Sequence, residues 1–155
     1  MGSSKEVFLI DAMQAKLEAP GRLILVKLQT NGMDCVGMVD TTATANFISR
    51  EAVKKAGVNV DVLTDPVVCK FANDSQGVVS EVVRQLKVEI IGEGKNFVSR
   101  EQCFVLDGLE VDMVLSIAYI RKHNIVLRPS ESLLTIPDRK GEPIVIRELL
   151  DNKAK

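Results

Sequence analysis

The apolar positions of this chain fall into short runs broken by polar turns. Leu23-Ile24-Leu25-Val26-Lys27-Leu28 and Cys35-Val36-Gly37-Met38-Val39 flank Asn31-Gly32. Asn-Gly between two apolar runs is a strong local signal of a tight β-hairpin, because both residues tolerate positive φ. The second run leads straight into Asp40. Strands are predicted over residues 67–71 and 78–91, joined through the polar turn Ala72-Asn73-Asp74-Ser75-Gln76-Gly77. Gly92-Glu93-Gly94 turns the chain into a strand over 97–106, and Met113-Val114-Leu115 is a further short run. A last hairpin joins 125–127 to 133–136 around Pro129-Ser130-Glu131-Ser132, and Ile144-Val145-Ile146 can add an edge strand.

Helical spacing is confined to a few stretches. Phe47, Ile48, Ala52, Val53 and Ala56 share one helical face, which predicts a helix over 47–56 stopped by Gly57. Residues 117–123 suit one or two helical turns ending at His123. Near the start, Val7, Ile10, Met13 and Leu17 fit one face of a helix over 6–19, ended by Pro20-Gly21. The continuous run Val7-Phe8-Leu9-Ile10 also admits a short strand there. Short strands with turn signals at roughly 8–12-residue spacing predict a mostly β domain, a small closed barrel or sandwich with one or two short helices.

Composition narrows the function classes. At 155 residues the chain suits one domain, and 46% hydrophobic with 26% charged residues is ordinary for a folded soluble protein. Aromatic residues are 4% with no Trp, so Val, Ile, Leu and Met must fill the core. A net charge of -1 gives no reason to expect nucleic acid or an anionic membrane as partner. No apolar run reaches the ~18 residues of a membrane span. Cys35, Cys69 and Cys103 are widely spaced, with no CxxC pair or Cys/His cluster, so neither a metal site nor a cofactor is expected. An odd cysteine count without a signal peptide fits a protein of the cytoplasm or nucleus, not a secreted one. Glu6 breaks the myristoylation pattern.

Most familiar machinery is missing. His123 is the one histidine, in Arg-Lys-His-Asn at a helix end, where a solvated capping role is the expectation. Lys54-Lys55, Arg100-Glu101, Arg139-Lys140 and Glu148 read as solvated surface. One arrangement stands apart: Val39-Asp40-Thr41-Thr42-Ala43-Thr44 places an acid at a strand end ahead of small hydroxyl residues. Taken alone, that is also what a strand-terminal Asp in a hydroxyl-rich turn looks like.

The segment Met38-Val39-Asp40-Thr41-Thr42-Ala43-Thr44 with Phe47-Ile48-Ser49 resembles the active-site strand and loop of retropepsin-like aspartic proteases, notably those of gypsy-type retrotransposons. That family reads hydrophobic-hydrophobic-Asp-Ser/Thr-Gly-Ala-Thr, then Phe-Ile-Ser. Asp112-Met113-Val114-Leu115-Ser116-Ile117-Ala118-Tyr119-Ile120 is similar to its second signature, in which Leu115, Ser116 and Ile117 would support the active-site loop. The preceding Asn-Gly hairpin and the closing hairpin follow in the same order. Residues 22–137 are covered, leaving 1–21 as an N-terminal extension and 138–155 as a charged tail able to add a strand or helix.

The resemblance implies a homodimer. Each subunit would bring one Asp40, and two carboxyls so close share a proton, one acting as acid and one as base on a water attacking a peptide bond. Thr41, Thr42, Ala43 and Thr44 would form the active-site loop at the two-fold axis, and Asn73, Asp74, Ser75, Gln76 and Gly77 the flap. The pattern departs at Thr42 and Ser116, which stand where the family has glycine, and at Ala118 and Tyr119, where the family has an acidic residue and Trp. A β-branched residue at positive φ would be strained by ~1–3 kcal/mol. These departures predict a retroelement-derived homodimeric interaction module without catalysis, able to hold an extended peptide or partner protein. The alternative is an active aspartic endopeptidase using Asp40 from each subunit.

Overall fold

A computed structural model describes residues 7–10, 23–71 and 76–149. The elements are β1 (Val7–Ile10), β2 (Leu23–Thr30), β3 (Met33–Asp40), β4 (Phe47–Ser49), α1 (Arg50–Ala56), β5 (Asp61–Phe71) and β6 (Gln76–Ile90). Then come β7 (Phe97–Leu106), β8 (Met113–Leu115), α2 (Ile117–Lys122), β9 (Val126–Arg128), a 3-10 turn (Pro129–Glu131), β10 (Leu133–Asp138) and β11 (Gly141–Arg147).

Eight strands pair in the order β1-β5-β6-β2-β3-β8-β4-β7, and β6 also pairs with β7, so the pairings return on themselves as a ring. A separate sheet has the order β11-β10-β9. The β2–β3 hairpin closes at Asn31 (φ 51°) and Gly32 (φ 81°), the positive-φ pair expected of Asn-Gly. In β3, a Cβ on Gly37 would stand 2.4 Å from Leu28 Cδ2, so glycine there lets the neighbouring leucine fill the interior.

The strands around Asp40 are covered on both faces, which explains why their sequence reads as nearly continuous apolar runs. Val39, Ile48, Val105, Met113 and Leu115 join one core, with Ile24, Val26 and Leu28. Their neighbours Met38, Phe47, Phe104, Leu106 and Val114 join the other, with Leu23 and Ala43. β8 lies between β3 and β4, parallel to the first and antiparallel to the second. Parallel neighbours cannot be joined by a tight turn. Here the connection spans much of the chain: Val36 donates to the Asp112 carboxylate from 76 positions away.

Several expectations need correction. The helix predicted over 47–56 begins at Arg50, because Phe47 and Ile48 are drawn into pairing with β7 and β8 while Ser49 caps the helix through Ala52 N. Near the start, Val7–Ile10 is a strand, paired with β5, and residues 11–19 of the expected helix lie outside the described residues. β5 starts at Asp61, six residues earlier than the apolar run suggested, since Asp61 and Val62 pair with Val82 and Glu81 even though both are exposed. The charged tail takes its strand option: Ile144 and Ile146 of β11 are buried, and Leu149 N reaches Leu25 O at 2.8 Å.

Candidate functional site

Asp40 closes β3 and is fully buried. Its Oδ1 accepts two hydrogen bonds from one residue, Thr42: the backbone N at 2.9 Å and Oγ1 at 2.7 Å. A carboxylate oxygen offers two lone-pair directions, so Thr42 engages both on Oδ1. Ala43 N donates to Asp40 O at 3.3 Å, tightening the turn. Ala43 is buried, Thr41 and Thr42 are half-buried and Thr44 is exposed, with the Thr42 hydroxyl turned inward onto Asp40.

The second motif holds this loop from behind. Ile117 N donates to Ala43 O at 2.9 Å, and Ser116 N donates to Asn46 Oδ1 at 2.9 Å. Leu115 lies beside Val39 in parallel register. Asn46 is held in turn by Phe104 N, which donates to its carbonyl at 3.0 Å, while its Nδ2 donates to Gln102 O at 3.3 Å. Asp112 ties three strands together: its carboxylate accepts from Val36 N at 2.8 Å, its N donates to Val36 O at 3.1 Å, and its carbonyl accepts from Ser49 N at 2.8 Å. Asn46 is not among the expected site residues, because a lone Asn near a turn carries no signal until its distant partner is known, and Asp112, which opens the second signature, shows its tie to Val36 only in the structure.

Thr42 and Ser116, the two departures from the family glycines, are accommodated. Positive φ among the described non-glycine residues is confined to Asn31, Asn124 and Ser132, so the strain expected at Thr42 is absent. Ser116 is fully buried in extended backbone (φ -89°, ψ 178°) and caps α2, its Oγ accepting from Tyr119 N at 3.3 Å. Of the expected flap, Asn73, Asp74 and Ser75 lie outside the described residues. Gln76 and Gly77 belong to β6, opposite Lys70 and Cys69 of β5, because the ladder continues past the polar residues that suggested a turn.

Two residues assigned to the surface are not there. Glu101 is 5% exposed, its carboxylate 2.8 Å from His123 Nε2 and 3.2 Å from Lys122 Nζ. His123 does end α2, as expected, but its ring is packed edge-on against Tyr119 and Phe97 instead of being solvated. The alternation of β7 carries Glu101 to the same face as Cys103 and Val105, a placement that the pair Arg100-Glu101 does not reveal. Burial pushes the Cys35 thiol up to about 12 and Cys69 up to about 11, and raises Cys103 as well, so none is a ready nucleophile. Among the described residues no group of three His, Cys, Asp or Glu side chains could hold a metal ion, and no helix is long and apolar enough to cross a membrane. A groove of about 480 Å³ lined in part by Arg84, Lys87 and Arg100 includes none of the candidate residues.

The family model "Retroviral aspartyl protease" matches residues 5–142. A search of curated protein sequences found no match. Among solved structures, the chain is similar to the retroviral protease-like domain of Ddi1 from Leishmania major, with a TM-score of 0.59 and 16% identity over 84% of this chain and 96% of that one. It is also similar to a retropepsin-like aspartic protease from Rickettsia conorii, with a TM-score of 0.42 and 16% identity over 80% and 87% of the two chains. The first of these likenesses gives the fold: mostly β, retropepsin-like, with few helices.

Proposed function

The chain belongs to the retroviral aspartyl protease family, and we propose that it acts as a homodimeric interaction module, derived from a retroelement protease, in which peptide cleavage has lapsed. The observation that carries this reading is the pair of hydrogen bonds that Thr42 donates to one oxygen of Asp40. A carboxyl pair that shares a proton needs lone pairs open to the partner carboxyl and to the attacking water. The Thr42 hydroxyl takes a position on Oδ1 that a glycine would leave open. The loop itself is built firmly, through Ala43 and Asn46 to residues 116–117 and β7. Such a loop keeps the shape needed for two copies to meet at Thr41 and Thr42 even where chemistry is lost. With three buried, protonated thiols, the module suits the reducing cytoplasm or nucleus.

The test is direct. Sedimentation of the full chain is expected to give a dimer, and incubation with a peptide library at acidic and neutral pH is expected to give no cleavage. A monomer at micromolar concentration would overturn the reading, and cleavage abolished by Asp40→Asn would replace it with an active aspartic endopeptidase. That second reading draws on one observation of its own: Asp40 is buried at the end of β3 and the Thr42 amide is aimed at its carboxylate. Thr42→Gly separates the two, since cleavage that appears with glycine identifies the threonine side chain as the block.

A further inference from the structure

The partners of β6 change along its length. On the side away from β7 it pairs with β5 as far as Val82 and with β2 from Glu89 onward, so the sheet parts between them. Over the same stretch β6 carries one residue more than β7: Val83 stands opposite Cys103 and Leu86 opposite Glu101. Residues three apart on a regular strand point to opposite faces. Here Val83 and Leu86 are both buried, and Arg84 and Lys87 are both exposed. The bulge thus turns Arg84 and Lys87 outward together. Lys87 also stands directly opposite Arg100 of β7, itself exposed. Two cations in a direct cross-strand pair repel, which destabilises the sheet unless something negative lies between them.

Arg84, Lys87 and Arg100 border one groove of about 480 Å³, which Asn59 and Asp61 also line. Their charge is answered once. Arg84 Nε donates to the Asp61 carboxylate at 3.1 Å. Arg100 Nη1 makes a long contact, 3.4 Å, to the neutral Gln85 carbonyl. The Lys87 ammonium has no hydrogen bond or ion pair to any described residue. Glu89, two positions on, borders an adjoining hollow and accepts from Asn96 Nδ2 at 2.9 Å. Three cations against one carboxylate leave two positive charges over, in a chain whose net charge is -1. A group with two negative charges matches that surplus. Phosphoryl monoesters carry nearly that charge at neutral pH and offer three acceptor oxygens, suited to the guanidinium forks of Arg84 and Arg100 and to the point charge of Lys87. We propose that the groove at the β6 bulge binds a phosphoryl dianion, with Arg84, Lys87 and Arg100 as its partners. A groove of this size also admits the molecule that carries the phosphoryl group. None of the residues around Asp40 lines it, so failure here leaves the homodimer reading untouched, and the converse holds.

The test titrates the full chain, at low salt and slightly alkaline pH, with phenyl phosphate and with a short phosphoserine peptide. Both are expected to bind. Tighter binding of the peptide assigns a phosphorylated protein side chain as the source, and tighter binding of phenyl phosphate a small free ester; each supports the site. Lys87→Gln and Arg100→Gln should each weaken binding about tenfold. Lys54→Gln, at an exposed lysine outside the groove, should leave it unchanged. Lys87→Glu separates lost binding from lost folding: it should abolish binding yet raise the melting temperature of the free protein, because the cross-strand pair with Arg100 then attracts. The proposal is overturned if neither phosphate compound binds, if the Lys87→Glu variant binds undiminished or melts lower, or if succinate, a dicarboxylate, binds as tightly as phenyl phosphate.

Discussion

Two carboxylates are buried in the described part of this chain, Asp40 at 0% and Glu101 at 5% exposure, and they are held in opposite ways. The Asp40 carboxylate accepts from Thr42, two positions along its own loop. Glu101 is met by Lys122 and His123, 21 and 22 positions away at the end of α2. A local clamp sets the shape of a loop without committing it to any other element, so a functional carboxylate can keep its geometry while its surroundings diverge. A long-range pair does the reverse, fixing a helix against a strand and committing both. The same helix begins at Ser116 and Ile117, which hold the Asp40 loop. Glu101 is thus two steps from the site without being part of it.

The contrast can be broken by substitution. Glu101→Ala leaves His123 and Lys122 facing an emptied buried site and is expected to cost about 3 kcal/mol in guanidinium unfolding; a loss below ~1 kcal/mol would mean that the pair does not fasten α2. His123→Ala removes one of the two partners and opens space beside Tyr119 and Phe97, so about 2 kcal/mol should be lost. Thr42→Val keeps the shape and the backbone bond but deletes the hydroxyl, with an expected cost of about 1 kcal/mol for the lost hydrogen bond. Asp40→Asn keeps a side-chain oxygen able to accept both Thr42 bonds, so its cost should stay within about 0.5 kcal/mol; the sedimentation of this variant should match that of the unaltered chain.

The smallest effect concerns a third, intermediate acid. Glu148 is raised from the usual carboxylate range by burial, and a backbone hydrogen bond at Leu25 opposes this only in part. A raised pKa means that the folded state holds the proton more tightly than the unfolded state. Stability from this group is complete below the unfolded pKa and declines as pH rises through the folded one. Glu148→Gln should therefore raise the melting temperature slightly at neutral pH and leave it unchanged in acid. A gain of equal size at both pH values would mean that ionisation is not the cause.

Much of this was legible beforehand. β7, β8, the closing hairpin and β11 follow from runs of apolar residues and the turns between them. Asp40 and the residues 115–117 were identified through the pattern around them, and the structure joins the two segments at Ala43 and Ile117. Phe47 and Ile48 misled because two apolar residues before Ala52 and Val53 fit a helical face as well as a strand buried on both sides. Glu101 misled because a charge beside Arg100 on an alternating strand gives no sign of which face looks inward.

By itself the sequence determined the β character of the domain, the tight turn at Asn31-Gly32, the chain membership read from the Asp40 and Asp112 segments, and the absence of a glycine after Asp40-Thr41. Each depends on neighbouring residues whose conformational preferences act over a few bonds. Only the tertiary structure decided that Thr42 turns back onto Asp40 without positive φ, that Ser116 caps a helix while its amide holds Asn46, and that Val7–Ile10 lies along β5. These depend on which distant strands become neighbours. That choice follows from burying two apolar faces of one sheet at once, a condition that no single stretch of chain records.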